Sequence, residues 1–270
     1  LDIPVPTFSE YHEKVDPERV TYHHLDAADG YALDLATYRS WLDDSGASVA
    51  LIINPGNPTG QVFSRAEMEG FLDSVRDLEL VVVDESFIDF AGQVPPSLLP
   101  VADEFPNLVI VRSMSKHCGV PGLRLGYSYS SDPDFTRPLR PPLPTRNINS
   151  IAEYFLGQLA ATDDDYHASR LALIEDVRQL SEGLAAIPGL TVLPTGANFI
   201  LVRVDAEITA AELQLRLLRD HRCYVRDCAN KLGMDEHHIR VASQGREADS
   251  NLIRAARQIA AEHGWGDAGA

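Results

Sequence analysis

Val111-Arg112-Ser113-Met114-Ser115-Lys116-His117-Cys118-Gly119-Val120-Pro121-Gly122-Leu123-Arg124-Leu125-Gly126-Tyr127 is the stretch on which the reading of this chain turns. A strand-like run, Leu108 to Val111, delivers two hydroxyls (Ser113, Ser115), one lysine and then Arg124. A lysine that forms a Schiff base needs a rigid mount and neighbours that depress its pKa. A phosphate held nearby needs hydroxyl donors and a guanidinium fork. All of these residue types are present here. Taken alone, Ser-x-Ser-Lys is better explained as a surface lysine in a glycine-rich loop.

Two upstream motifs reverse that balance. In Leu51-Ile52-Ile53-Asn54-Pro55-Gly56-Asn57-Pro58-Thr59-Gly60, an apolar strand runs into dipeptides that favour an extended chain and then a turn. It reads as an ordinary strand end, or as a strand that presents Asn57 at its carboxyl end, where ligands of open α/β sheets bind. In Leu80-Val81-Val82-Val83-Asp84-Glu85-Ser86-Phe87, four apolar residues read as a buried parallel strand ending at Asp84. An acid there either caps a helix or lies under a pyridine nitrogen, keeping it protonated so that the ring draws electrons.

In this order and at these separations the three motifs resemble pyridoxal-phosphate enzymes of the aspartate-aminotransferase fold. They are most similar to the histidinol-phosphate aminotransferase and threonine-phosphate decarboxylase branch, over about residues 4–260. The resemblance implies pyridoxal 5'-phosphate as cofactor, with Lys116 as the Schiff-base lysine and proton carrier. It implies Asp84 at the pyridinium nitrogen, Asn57 at the ring's phenolic oxygen, and Ser113, Ser115 and Arg124 at the cofactor phosphate. Pro6-Thr7-Phe8-Ser9-Glu10-Tyr11 resembles the segment whose first aromatic stacks on the cofactor ring, which makes Phe8 the stacking residue; a core phenylalanine is the alternative. For the substrate, the resemblance points to Arg240 at the α-carboxylate, Arg226 at a second anion and Asn198 facing the site. A surface arginine with an ordinary salt bridge is the other explanation for Arg226 and Arg240.

Three departures stand out. Phe87 replaces a tyrosine that usually bonds the ring oxygen, and Gly56 stands where asparagine is usual. The chain also starts at Leu1, almost at the stacking aromatic, so that roughly 100 residues of amino-terminal arm, small domain and phosphate loop are expected ahead of it. The stretch Arg146 to Leu156 and the Val120-Pro121-Gly122 turn resemble aminotransferase-like domains fused behind a nucleotidyltransferase, and fusion or pairing with one is the partner expectation.

Composition sets bounds. Forty acidic against 23 basic residues give a formal charge of −17, which opposes nucleic-acid binding and leaves anion capture to local arginines. The 44% hydrophobic content with no long apolar run speaks against a membrane span. Leu1 to Pro6 lacks the features of a signal peptide. Cys118, Cys223 and Cys228 show no paired spacing, which suits a reducing cytoplasm, and no metal site is expected.

Alternating strands and helices predict an α/β fold: a mainly parallel, doubly wound sheet forming the cofactor-binding large domain over 1–162. A linking helix and a small α+β domain are expected over 163–270. Strands are expected at 20–25, 80–84, 108–112, 190–193, 198–204, 222–226 and 238–242. Helices are expected at 34–45, 64–78 (with a capping box at Ser64), 148–161 and 164–187, the last with Thr162 as cap. Residues 138–144 read as a loop over the site or a linker, and His221, His237 and His238 as solvated. The expected activity is transamination between an amino donor with a second anionic group and a keto-acid acceptor, in a homodimer. The alternatives are α-decarboxylation and a non-catalytic, truncated dimerisation module.

Overall fold

The computed structural model describes residues 1–159, 161–205 and 207–265. Among the described residues ten strands form two sheets: β1 (Asp2–Val5), β2 (Thr21–His24), β3 (Val49–Ile53), β4 (Leu80–Asp84), β5 (Leu108–Ser113) and β6 (Gly126–Tyr129) in one, and β7 (Leu190–Val192), β8 (Phe199–Val204), β9 (Arg226–Asp227) and β10 (His238–Ala242) in the other. The main helices are α1 (Glu10–Glu13), α2 (Leu35–Ser45), α3 (Arg65–Ser74), α4 (Met114–His117), α5 (Pro133–Leu139), α6 (Ser150–Leu159), α7 (Asp163–Ala185), α8 (Ala210–His221) and α9 (Arg246–Glu262).

The first sheet has the order β2-β1-β3-β4-β5-β6. Its strands are parallel except β6, which returns antiparallel to β5. Its central strands are apolar because helices cover them: Ile52, Val83 and Ile110 meet Tyr38 and Leu42 of α2 and Met68, Phe71 and Leu72 of α3 in one buried cluster. The second sheet, β7-β8-β10-β9, is antiparallel. It buries Ile200, Val202, Ile239 and Val241 against Leu180 and Leu184 of α7, Leu213 and Leu217 of α8, and Ile259 of α9.

Local chemistry sets the element ends. Asp34 caps α2 through Thr37 N at 2.7 Å, and the Ser64–Glu67 capping box forms. Helix α3 stops at Ser74 and does not reach Leu78, because Asn107 Nδ2 takes the carbonyls of Val75 and Leu78 and holds that stretch as a turn. Thr162 precedes α7 without a side-chain cap. Residues 133–139 form a short helix that contains Pro138, so the expected loop begins only at Arg140.

Strand β1 carries no sequence signal of its own, since Pro4 lacks the N–H of a ladder residue. Its register with β3 is a single pair, Asp2 with Ala50. The fully buried Tyr38 hydroxyl compensates, lying 3.0 Å from Asp2 O and 3.2 Å from Leu51 O and accepting from Leu51 N. The strand expected at 222–226 shrinks to Arg226–Asp227. His238, expected in solvent, is 1% exposed, bonded to Asp235 at 2.7 Å and edge-on to Tyr31.

Candidate active site

Four parallel strands end on one edge of the first sheet, the edge where open α/β sheets bind ligands. Past β1 comes Phe8, past β3 comes Asn57, at the end of β4 stands Asp84, and at the end of β5 stands Ser113, with Ser115 and Lys116 just past it. The register Ile53–Asp84–Val111 aligns three of these ends. The turn back to β6 passes through Arg124, whose backbone is left-handed (φ 56°), a conformation that costs a non-glycine residue of order 1 kcal/mol. Gly126 then starts β6, where a Cβ would lie 2.9 Å from the carbonyl oxygen of Arg112.

Asp84 is 7% exposed. Its Oδ2 accepts from the Tyr11 hydroxyl at 2.8 Å and its Oδ1 from Ser86 N at 2.8 Å. Among the described residues no cation pairs with it. Burial, and then the charge of Asp84, push the Tyr11 pKa up, so this phenol stays a donor. The adjacent Glu85 points away from the site, where it accepts from Ser97 Oγ and Leu98 N.

Lys116 projects from the short helix α4 toward Asp84, with its ammonium 5.7 Å from the Phe87 ring centroid. Its pKa is lowered, first by the desolvating walls around it, then by the charges of Arg240 and Arg124, while Asp84 opposes the shift. Behind it the β5 end is braced. Ser86 Oγ accepts from Ser113 N at 3.0 Å, and Arg112 is ion-paired to Asp89. Arg170 of α7 donates to the carbonyls of Asp89, Gly92 and Gln93 at 2.7–2.9 Å. Among the described residues Ser113 Oγ accepts only from Ser115 N, and the one hydrogen bond of the Arg124 guanidinium goes to Pro121 O at 3.2 Å. Both keep donors free beside an open cleft of ≈ 430 Å³.

The second sheet supplies two arginines. Arg240 of β10 and Arg226 of β9 are direct cross-strand partners, which puts both on one face. Like charges in that position are destabilising, and among the described residues neither arginine pairs with a carboxylate. Arg240 crosses to the first sheet, donates to Asn57 Oδ1 at 2.6 Å and stacks over Phe199. Burial and then Arg226 lower its pKa. Asn198 Oδ1 is buried without a partner. Phe8 is 40% exposed, so it is no core residue. At the turn after β3, the volume a side chain on Gly56 would occupy is filled by Thr59 Oγ1, 2.4 Å from the ideal Cβ position.

A hydrogen bond, a cross-strand pair and close charges thus bring Asn57, Asp84, Lys116, Arg124, Arg226 and Arg240 near one another. Phe8 reaches them edge-on through Tyr11, and Ser113 and Ser115 line a cleft with Arg124. Among the described residues no contact ties the Asn198 side chain to this group. Two that were not singled out join them: Tyr11 on Asp84, and Lys231, whose ammonium lies 5.8 Å from the Phe8 ring centroid. Tyr11 had a signal, a second aromatic close to Phe8 in the same short segment; Lys231 had none.

The profile described as Aminotransferase class I and II matches residues 3–257. The chain belongs to this family. Pyridoxal 5'-phosphate is the family's cofactor, and this chain's free groups fit it: a buried carboxylate without a cation, a lysine of lowered pKa and unused donors at Ser113 and Arg124. Among relatives, the chain is 36% identical to a CMP-5'-(3-aminopropyl)phosphonate synthase of Streptomyces rubellomurinus, over 95% of this chain and 41% of that protein. It is 31% identical to an L-serine phosphate decarboxylase of Sulfurospirillum multivorans, over 94% of this chain and 67% of that one. The histidinol-phosphate aminotransferase structure from Clostridium acetobutylicum superposes with a TM-score of 0.86 at 25% identity, covering 97% of this chain and 78% of that one. The mostly parallel sheet with flanking helices is thus the fold of these enzymes. The chain spans about two fifths of the first relative's length and two thirds of the second's. Among the described residues no helix is long and apolar enough to cross a membrane.

Proposed function

We propose that this chain is the pyridoxal-phosphate part of an enzyme that removes the α-carboxylate from an amino acid bearing a second, phosphorus-borne anion. The observation that carries the substrate class is the opposed pair Arg226 and Arg240, like charges side by side with no protein carboxylate between them. Such a pair is stable in company with anions, and two forks suit two anionic groups. The reaction class rests on the decarboxylase and phosphonate synthase among the relatives. Transamination, favoured by the histidinol-phosphate aminotransferase likeness, is the second reading.

Bound pyridoxal phosphate supplies an electron sink for the pair released when a bond at the substrate Cα breaks. In this proposal Lys116 holds the cofactor and delivers a proton to Cα. Its lowered pKa lets it exchange protons near neutrality better than a solvated lysine does. Asp84, oriented by Tyr11 and Ser86 N, keeps a proton on the ring nitrogen. Asn57 donates to the ring oxygen, alone there because Phe87 has no hydroxyl. Ser113, Ser115 and Arg124 hold the cofactor phosphate, and Phe8 covers the ring. Arg240 orients the α-carboxylate, Arg226 takes the second anion, and Asn198 Oδ1 accepts from the substrate. The proton balance is simple: the amino acid takes up one proton at Cα and loses carbon dioxide, leaving a primary amine.

The proposal extends to division near residues 162–163, a cytoplasmic homodimer, and a nucleotidyl-transferring domain or partner of the kind the first relative's CMP-bearing product suggests. The test is to incubate the chain with pyridoxal phosphate, reduce with borohydride and map the modified peptide, then supply O-phospho-L-serine with and without a keto-acid acceptor. The expected outcome is one pyridoxyl group on Lys116 and acceptor-independent release of carbon dioxide. Acceptor-dependent amino transfer would establish the second reading. Scattered labelling of surface lysines would refute both and favour a non-catalytic module.

A further inference from the structure

We infer that Lys231 is a specificity-determining residue, the cation that completes the site for the second anion of the substrate; this rests on the substrate class just proposed. Lys231 is 9% exposed, a burial that lysine rarely tolerates without a counter-charge. Its ammonium donates to Thr7 O at 3.2 Å and, at 3.5 Å, to Ser9 Oγ. Both partners are neutral, one bond is long, and the third N–H has no partner among the described residues. The nearest aromatic face is that of Phe8, the residue proposed to cover the cofactor ring. Arg240 and Arg226 press on Lys231 with like charge, while Glu13 is felt only weakly. Three cations thus share one region, and no protein carboxylate pairs with any of them among the described residues.

The loop that carries Lys231 is built to put it there. Lys231 N bonds Cys228 O at 2.9 Å, and Met234 N bonds Lys231 O at 3.0 Å, which winds the loop into successive turns after β9. Gly233 (φ +86°) then lies flat against the end of β1, where a Cβ would come within 3.3–3.4 Å of His24 Nδ1, Pro6 N and Val5 C. Only a residue without a side chain approaches so closely in that conformation. The result joins residues 224 positions apart and brings an ammonium beside the Arg226–Arg240 pair. Two forks and one ammonium suit a tetrahedral dianion beside a carboxylate, since the ammonium can meet an oxygen out of the plane of the forks.

If Lys231 only ties residues 7–9 in place, an uncharged donor serves as well. The experiment uses the chain loaded with pyridoxal phosphate, so that the cofactor's own phosphate cradle is filled. The parent, Lys231→Gln and Lys231→Arg are titrated with O-phosphoethanolamine and L-serine, followed by the absorbance of the bound cofactor. Lys231→Gln is expected to weaken O-phosphoethanolamine by about 10- to 100-fold, the loss of one charge-assisted hydrogen bond. L-serine and cofactor affinity should change by less than about twofold, and Lys231→Arg should recover most of the loss. Equal weakening of both ligands, or no weakening of O-phosphoethanolamine, overturns the inference and leaves the proposed substrate class standing. A parent chain that binds L-serine as tightly as O-phosphoethanolamine overturns the substrate class and this inference together.

Discussion

Arg226→Met should make the empty chain more stable while making it a poorer receptor. The substitution keeps the stem of Arg226 and removes its fork. In the ligand-free chain the fork faces Arg240 across an antiparallel pair, an arrangement that costs roughly 0.2–1 kcal/mol. Because Arg226 is exposed, solvent screening puts the gain on removal at the low end of that range. One kcal/mol moves the midpoint of a chain this size by about 2–4 °C, so a rise of roughly 0.5–1 °C is expected at low salt. Raising the salt from 0.1 to 1 M shortens the screening length from about 10 to 3 Å, and the gain should fade. With O-phospho-L-serine the sign reverses: losing one charge-assisted hydrogen bond costs about 1.5–3 kcal/mol, roughly 10- to 150-fold in affinity. Thermal melts at two salt concentrations and one titration on the cofactor-loaded chain suffice. A lower midpoint without ligand, insensitive to salt, would refute the idea that the two arginines oppose each other until an anion arrives.

Two further outcomes test the frame around the site. The folded-state pKa of Lys116 is lowered, so between that value and its unfolded value the unfolded chain binds more protons and stability rises with pH. Lys116→Met should therefore be more stable than the parent at neutral pH, with the difference shrinking as pH climbs through the folded pKa toward the unfolded one; urea midpoints across pH that show a constant difference would contradict this. Tyr38→Phe removes the hydroxyl that stands in for ladder bonds between β1 and β3 and should cost about 1–3 kcal/mol, read from denaturant midpoints. An unchanged midpoint would show that water replaces the phenol.

The parts legible in the sequence share a physical character: they are local. Strand β4, with its four apolar residues before Asp84, and β5 before Ser113 announce themselves by composition and by what ends them. The Ser64 capping box needs only four residues to be read. The parts that were not legible depend on distant partners. Strand β1 contains a proline and takes its place in the sheet from distant partners, β2 along its length and Tyr38 bridging it to β3. His238 reads as solvated, like His221 and His237, until Asp235 and Tyr31 enclose it. Lys231 reads as an ordinary loop lysine until the fold sets it under Phe8. At the site the division is the same. Lys116, Asp84 and Asn57 follow from where strands end, whereas the Tyr11 bond to Asp84 and the Arg240 bond to Asn57 exist only once the chain has closed on itself.

That last bond would make the proposed capture of a carboxylate at Arg240 an exchange. One N–H of the guanidinium, on Nη1, is already engaged by a neutral amide oxygen, Asn57 Oδ1, so a group that binds with that face of the fork displaces an acceptor and does not merely fill a space. A carboxylate gives the guanidinium an oppositely charged acceptor in place of a neutral one, and a bidentate fit besides. A carboxamide of the same shape replaces like with like and gains almost nothing. Discrimination between an amino acid and its amide is thus set by what the arginine holds before either arrives, and the displaced Asn57 is released to turn its own donors elsewhere.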